Sequence, residues 1–350
     1  MEEYDVIVIG ASATGSRVAE IVSENDDKVL LIEEHQKIGM PLQCTGLVSF
    51  RLLKLIPNLP KEIVLNKIKS AKFFSPNGNC LELKPRYNAY VIDRVKLDRF
   101  LFDQVKGDIK LSEKFESFRY TNDCIKIKTN KNVYSSKILV GADGPNSTVR
   151  RQIKINQKHS ILGLQTKVKG DFDSDSVELW FGSKVCPNFF AWVVPESENV
   201  ARIGLATNKN LMRFYNNFLK KRIGYLKKPD VVGRIPYGLL DRTSDNRIML
   251  VGDAASQVKP FSGGGLVYGM LSSEICANAA IKSLEENKFD GDFFEKNYDN
   301  KWKKFLSSPI MKGMMLRKVF NILPDFAVNF GFYVASHQKN ILEKWDMDLL

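Results

Sequence analysis

Histidine is nearly missing from this 350-residue chain: His35, His159 and His337 are the only three, and they lie far apart. Isolated histidines supply neither the clustered ligands of a zinc site nor a base beside a nucleophile, so no metal centre and no Ser-His-Asp triad is expected. The cysteines, Cys44, Cys80, Cys124, Cys186 and Cys276, are odd in number and never form a Cys-x-x-Cys pair. That pattern speaks for reduced thiols in a cytosol rather than a disulfide framework. Long apolar runs are also lacking. The longest weakly polar stretch, residues 322–335, is broken by Asp325 and Asn329 and falls short of the roughly 20 apolar residues that a membrane-spanning helix needs. The apolar run 6–9 begins almost at once, which leaves no room for a secretory signal. There are no repeats, low-complexity linkers, zinc-finger spacings or aromatic-rich RNA-binding signatures. The net charge of +12 therefore reads as a Lys-rich surface, not as a nucleic-acid-binding protein.

What the chain does have is 44% apolar residues, enough for a large core. Residues 4–9 read as a buried strand, 13–23 as a helix and 28–32 as a second strand, which together make a βαβ unit. The turn after the first strand is Gly10-Ala11-Ser12-Ala13-Thr14-Gly15. Gly10 permits a tight turn, Gly15 lets helix pack on strand, and the helix start aims backbone N–H groups at a pyrophosphate. Ser12 stands where a second glycine is usual. Glu33 closes the second strand, where an acid accepts hydrogen bonds from ribose hydroxyls. Two further strands end in Gly-Asp turns. Residues 138–140 lead into Gly141-Ala142-Asp143-Gly144, and residues 248–251 into Gly252-Asp253, followed by the run Gly263-Gly264-Gly265 and an apolar helix through Ala280. Glycines at such turns let backbone amides face a bound anion.

With these motifs in this order, and with Asp93-Arg94 and Asp98 between them, residues 4–285 resemble the FAD-dependent oxidoreductases of the aromatic-hydroxylase fold group. The resemblance implies FAD, with Arg94 near its diphosphate, Asp143 and Gly144 at the nucleotide region and Asp253 on the ribityl or diphosphate portion. Within that group the chain looks most like the geranylgeranyl reductase family. The segment Gly39-Met40-Pro41-Leu42-Gln43-Cys44-Thr45-Gly46 is similar to that family's Gly-x-Pro-x-x-Cys-x-Gly. Phe190-Ala191-Trp192-Val193-Val194-Pro195 is similar to its Tyr-x-Trp-x-Phe-Pro strand, with Phe190 and Val194 replacing Tyr and Phe. The run from Val258 to Gly265 is similar to its flavin-flanking loop.

By resemblance, the activity is saturation of prenyl-chain double bonds in isoprenoid lipid synthesis, with Cys44 the proton donor and Phe190, Trp192 and Pro195 on the substrate side. An unactivated alkene needs hydride on one carbon and a proton on its neighbour. No second dinucleotide fingerprint is visible, which suits NAD(P)H bound transiently, or a ferredoxin, as electron donor. Two other readings stay open: an FAD-dependent monooxygenase of an aromatic or polyprenyl substrate, and a lipid-binding flavoprotein without catalysis.

The expected fold is α/β. A discontinuous Rossmann-like FAD-binding domain (1–65, 84–159, 246–289) interleaves with an antiparallel-sheet substrate domain (66–83, 160–245), and a helical cap follows (290–350), divided by Pro309 and Pro324 into short helices. The cap's apolar and Lys-rich composition also suits peripheral contact with the inner face of a membrane.

Overall fold

Uninterrupted apolar runs mark strands covered on both faces, and the three such runs in this sequence lie side by side. In the computed structural model, which describes residues 2–344 and residue 348, strand Glu3–Ile9 sits between Val29–Ile32 and Val133–Gly141, all parallel. Ile248–Leu250 and Asp108–Lys110 extend the sheet in parallel on its two sides. A hairpin, Phe115–Tyr120 and Ile125–Thr129, pairs antiparallel with the start of Val133–Gly141. Helix Ala13–Glu24 makes the first crossover. Helix Leu266–Glu286 packs on it so closely that a Cβ on Gly269 would come within 2.5 Å of Thr14 Cγ2.

A second sheet has seven strands in the order Val231–Tyr237, His159–Lys169, Val200–Ala206, Ala191–Ser197, Ser176–Trp180, Ser70–Phe74 and Cys80–Leu83. It is antiparallel except where Ser176–Trp180 pairs with Ser70–Phe74. Its inner face and helix Leu211–Ile223 enclose an aromatic-rich core that includes Phe181, Phe190, Trp192 and Phe218. This architecture is the expected one: an α/β Rossmann-like half, a largely antiparallel sheet and a helical C-terminal region.

Three local expectations differ from the structure. Leu47–Ser49, Ala89–Ile92 and Val64–Ile68 form a separate three-stranded sheet, so the stretch 66–68 pairs there and not in the large antiparallel sheet. Phe189 and Phe190 precede the strand Ala191–Ser197 rather than lying in it. Pro309 does not end a helix. It sits inside Asn300–Ile322, where burial of Trp302, Leu306, Ile310 and Gly313 along one side outweighs the single hydrogen bond that proline removes. Pro324 does separate this helix from the next, Asp325–His337. Residue 1 and residues 345–347, 349 and 350, the extremes of the first and last expected segments, lie outside the described residues.

Candidate functional site

The glycine-rich turn has the geometry its sequence promises. Gly10 adopts φ +101°, and a Cβ there would come within 2.4 Å of the Ala142 carbonyl oxygen; one on Gly15 would meet the Gly10 oxygen at 1.8 Å. Ser12 needs no such freedom. Its φ is −78° and its ψ 178°, extended backbone that any residue adopts, so a serine replaces glycine without strain. Its hydroxyl does not cap the helix, and the residue is exposed in the groove. The acids have already found donors: the Ala11 N–H donates to Glu33 Oε2 (2.9 Å) and the Ala13 N–H to Asp98 Oδ1 (3.1 Å).

These residues line a groove of about 590 Å³ between the parallel sheet and the antiparallel one. Glu33, Glu34 and Lys114 stand among its lining residues with the turn 10–14, the segment 142–146, Gly252 and Asp253, and Gly263, Gly265 and Leu266. Gln43, Cys44 and Arg94 complete it, together with Arg234 and Ile235 from the strand Val231–Tyr237. Gly264 is not part of the lining; a Cβ on it would press on Lys259 Cε at 2.9 Å, behind the loop. Lys259 in turn pairs with Asp348 (2.9 Å).

Arg94 is the buried cation of the groove. Its Nη2 donates to Asp98 Oδ1 (2.9 Å), with Cys44 beside it, while its buried Nε has no partner among the described residues. Burial works against its charge, but Asp98 and Cys44 together hold its pKa above the ordinary value. Cys44 Sγ accepts a hydrogen bond from the Gly46 N–H (3.2 Å). Gly46, at φ +74°, lies where a Cβ would collide with the Arg202 guanidinium at 2.4 Å.

The two Gly-Asp turns are not equivalent. Asp143 spends both carboxylate oxygens on the short helix after it, accepting from Ser147 Oγ (2.5 Å), Thr148 N (2.7 Å) and Val149 N (3.1 Å). What it and Gly144 offer the groove is mainly backbone. The Asp253 carboxylate accepts no hydrogen bond from the described residues, and burial pushes its pKa up to about 6, with Arg94 and Arg150 pulling the other way. An acid without a partner, an orphaned arginine Nε, a turn that tolerates no Cβ and a groove of this volume fit an elongated dinucleotide such as FAD.

Phe190, Trp192 and Pro195 are not brought to this groove. Trp192 is buried with its Nε1 donating to Gln165 Oε1 (3.0 Å), and Pro195 is buried with its carbonyl accepting from Asn66. Phe190 stacks on Phe189 with centroids 4.2 Å apart and borders a void of only about 10 Å³ that Phe261, Arg317 and Phe320 also line.

Three arginines escaped the sequence reading. Arg150 joins the Gly-Asp turns by donating to the carbonyls of Ala254 (2.9 Å) and Pro145 (2.8 Å). Arg202, paired with Glu196 (2.6 Å), donates to the carbonyls of Thr45 and Ile92 and ties the Cys44 loop to the antiparallel sheet. Arg234 faces the groove. A lone arginine in the apolar strand Val-Ala-Arg-Ile-Gly-Leu-Ala was the available signal for Arg202.

No family model matches the chain. It is 32% identical over 344 residues to an uncharacterized protein of Methanocaldococcus jannaschii, spanning 91% of this chain and 84% of that one. Digeranylgeranylglycerophospholipid reductase of Methanosarcina acetivorans is 28% identical over 349 residues, covering 92% and 86%. Among solved structures, a geranylgeranyl bacteriochlorophyll reductase-like protein of Thermoplasma acidophilum superposes with a TM-score of 0.86 at 23% identity, covering 94% of this chain and 90% of that one. A p-nitrophenol 4-monooxygenase of Pseudomonas putida superposes at 0.76 and 16% identity, covering 97% and 96%.

Proposed function

The chain belongs to the geranylgeranyl reductase family of FAD-dependent oxidoreductases, and from that premise we propose that it saturates double bonds of geranylgeranyl or related prenyl chains during synthesis of isoprenoid membrane lipids. The observation that carries this reading is the meeting of Cys44 with Arg94, Asp253 and the Gly263 loop in one groove of dinucleotide size.

Gly10, Ser12, Ala13 and Gly15 would hold the diphosphate of FAD through the helix start and the Ser12 hydroxyl, and Arg94 would add positive charge. Glu33, which accepts from the Ala11 N–H, would also accept from a ribose hydroxyl. Asp143 and Gly144 would shape the nucleotide region, and Asp253 would hold the ribityl or diphosphate portion. Gly263 and Gly265 would leave room for the ring in the groove, while Gly46 and Gly264 let the loops on either side pack against Arg202 and Lys259. When bound and reduced, FAD supplies hydride. The chain supplies the proton from Cys44. Cys44 lines the groove, with its Sγ accepting from the Gly46 N–H. Of the three residues expected on the substrate side, Phe190 borders an apolar void and Trp192 meets the Phe190 ring edge to face with centroids 6.2 Å apart, while Pro195 stays buried away from the groove. The void beside Phe190 is too small for a prenyl chain, so substrate entry would have to displace side chains that line it. Electrons come from NAD(P)H or a ferredoxin, and the protein works as a peripheral protein at the cytoplasmic face of the membrane that holds its substrate.

The test is mass spectrometry of isoprenoid lipids incubated, without oxygen, with the chemically reduced protein. Gain of hydrogen pairs is the expected result. Oxygen uptake coupled to ring hydroxylation would instead make the protein a monooxygenase, and unchanged lipids would leave it a flavoprotein without this catalysis.

A further inference from the structure

Helix Asn300–Ile322 has two unlike sides. Trp302, Leu306, Ile310 and Gly313 are buried, and Gly313 lies so near the flavin-flanking loop that a Cβ on it would come within 2.9 Å of Pro260 Cδ. The opposite side carries Met311, Met315 and Ile322, whose spacing puts them on one helical face, exposed by 56, 71 and 75%. Past the turn at Leu323 and Pro324 the same character continues on helix Asp325–His337. There Phe326 and Phe330, one turn apart, are 77 and 67% exposed, while Val328 packs inward. A contiguous patch of such large apolar side chains on a water-exposed surface marks an interaction site.

The charges around the patch are predominantly positive. Lys301, Lys304, Lys312 and Lys318 are exposed, and the one acid on the two helices, Asp325, is taken up by hydrogen bonds from Ser183. Among the described residues no helix is long and apolar enough to cross a membrane. We propose that this two-helix face docks flat on an anionic bilayer, with Met315, Ile322, Phe326 and Phe330 in the acyl boundary and the lysines among the headgroups. The choice of a bilayer as occupant rests on the lipid-substrate reading above and on this charge complementarity. A second copy of the chain matches less well, because a twofold contact through the face sets the lysines against their own copies. Docking also has a geometric consequence. Arg317 Nη1, on the buried side of the same helix, donates to the Pro260 carbonyl (3.0 Å). The bilayer thus lies about one helix diameter, roughly 10 Å, from the flavin-flanking loop.

Sedimentation of the flavin-loaded protein with vesicles tests this directly. Binding to phosphatidylglycerol vesicles is expected, with loss as salt rises and at least ten-fold weaker binding to phosphatidylcholine. Each lysine near an anionic surface strengthens binding roughly five-fold, so Lys312→Gln with Lys318→Gln should lower it about 25-fold. Phe326→Ser with Phe330→Ser should lower it by at least ten-fold. All four side chains are exposed, so flavin content and circular dichroism should be unchanged. Wild-type protein that stays in the supernatant, or variants that bind as tightly as wild type, would overturn the proposal. So would a concentration-dependent dimer that the phenylalanine variant abolishes. Vesicle binding is read without turnover, so a protein that docks but leaves lipids unsaturated would refute the reductase reading and leave this one standing.

Discussion

Asp253 is shielded from water beside Arg94 and Arg150, and burial pushes its carboxyl from 3.8 up to about 6. Between those values the folded chain holds a proton that the unfolded chain has already released, so this group makes stability fall as pH rises through the interval and stay level above it. Without FAD, Asp253→Asn should therefore unfold at higher urea than wild type at pH 7.5, by a margin that shrinks toward pH 5. The same variant should hold FAD about ten-fold more weakly or worse, since a hydrogen bond to a charged group is worth about 1.5–3 kcal/mol. Equal FAD affinity would remove Asp253 from the site. Cys44 is tested by separating flavin chemistry from alkene chemistry. Cys44→Ala should load and reduce FAD normally, yet reoxidise with a prenyl substrate 10²- to 10⁴-fold more slowly, the usual range for losing a general acid. Single-turnover traces of Cys44→Ala and Cys44→Ser that both match wild type would pass the proton to an ordered water or another group.

At the scale of the element, the turn from Gly10 to Gly15 concentrates the most demanding backbone in the site. Gly10→Ala combines φ +101° with a Cβ 2.4 Å from the Ala142 oxygen. A loss of at least about 2 kcal/mol is expected from urea midpoints, together with loss of flavin retention. A soluble, flavin-loaded variant of wild-type stability would mean the turn shifts more freely than its packing suggests. This element was legible in the sequence because its requirements are local: strand, glycine and helix start follow one another within fifteen residues. The three-stranded sheet was not legible. Val64–Ile68 finds its partner in Ala89–Ile92, and nothing in the alternation of either segment names the other. Pro309 misled for a related reason, since what keeps the helix intact there is the row of side chains it buries against helix Leu266–Glu286 and the loop at Pro260. Arg150 and Arg202 escaped because each acts by donating to backbone carbonyls far along the chain, which no spacing rule encodes.

Across the whole molecule, the groove draws residues from position 9 to position 266, and none of its walls is complete without the others. No covalent link to the cofactor is called for by such a cradle, so acid precipitation should release all the flavin, as FAD. Flavin left on the denatured chain, or FMN in the supernatant, would contradict the diphosphate-binding geometry of the turn 10–15. The parallel sheet adds a consequence for biosynthesis. Strand Val133–Gly141 joins Glu3–Ile9 on one edge and Ile248–Leu250 on the other, so the last of these must be made before the sheet closes. At about 5–20 residues per second of translation, roughly 10 to 50 s separate the emergence of the first strand from that of the last. Through that interval the newly made chain carries an unpaired apolar edge at residues 139–141, beyond the hairpin-covered start of the strand, and a ribosome stalled before residue 248 would release a fragment prone to pair with its own copies.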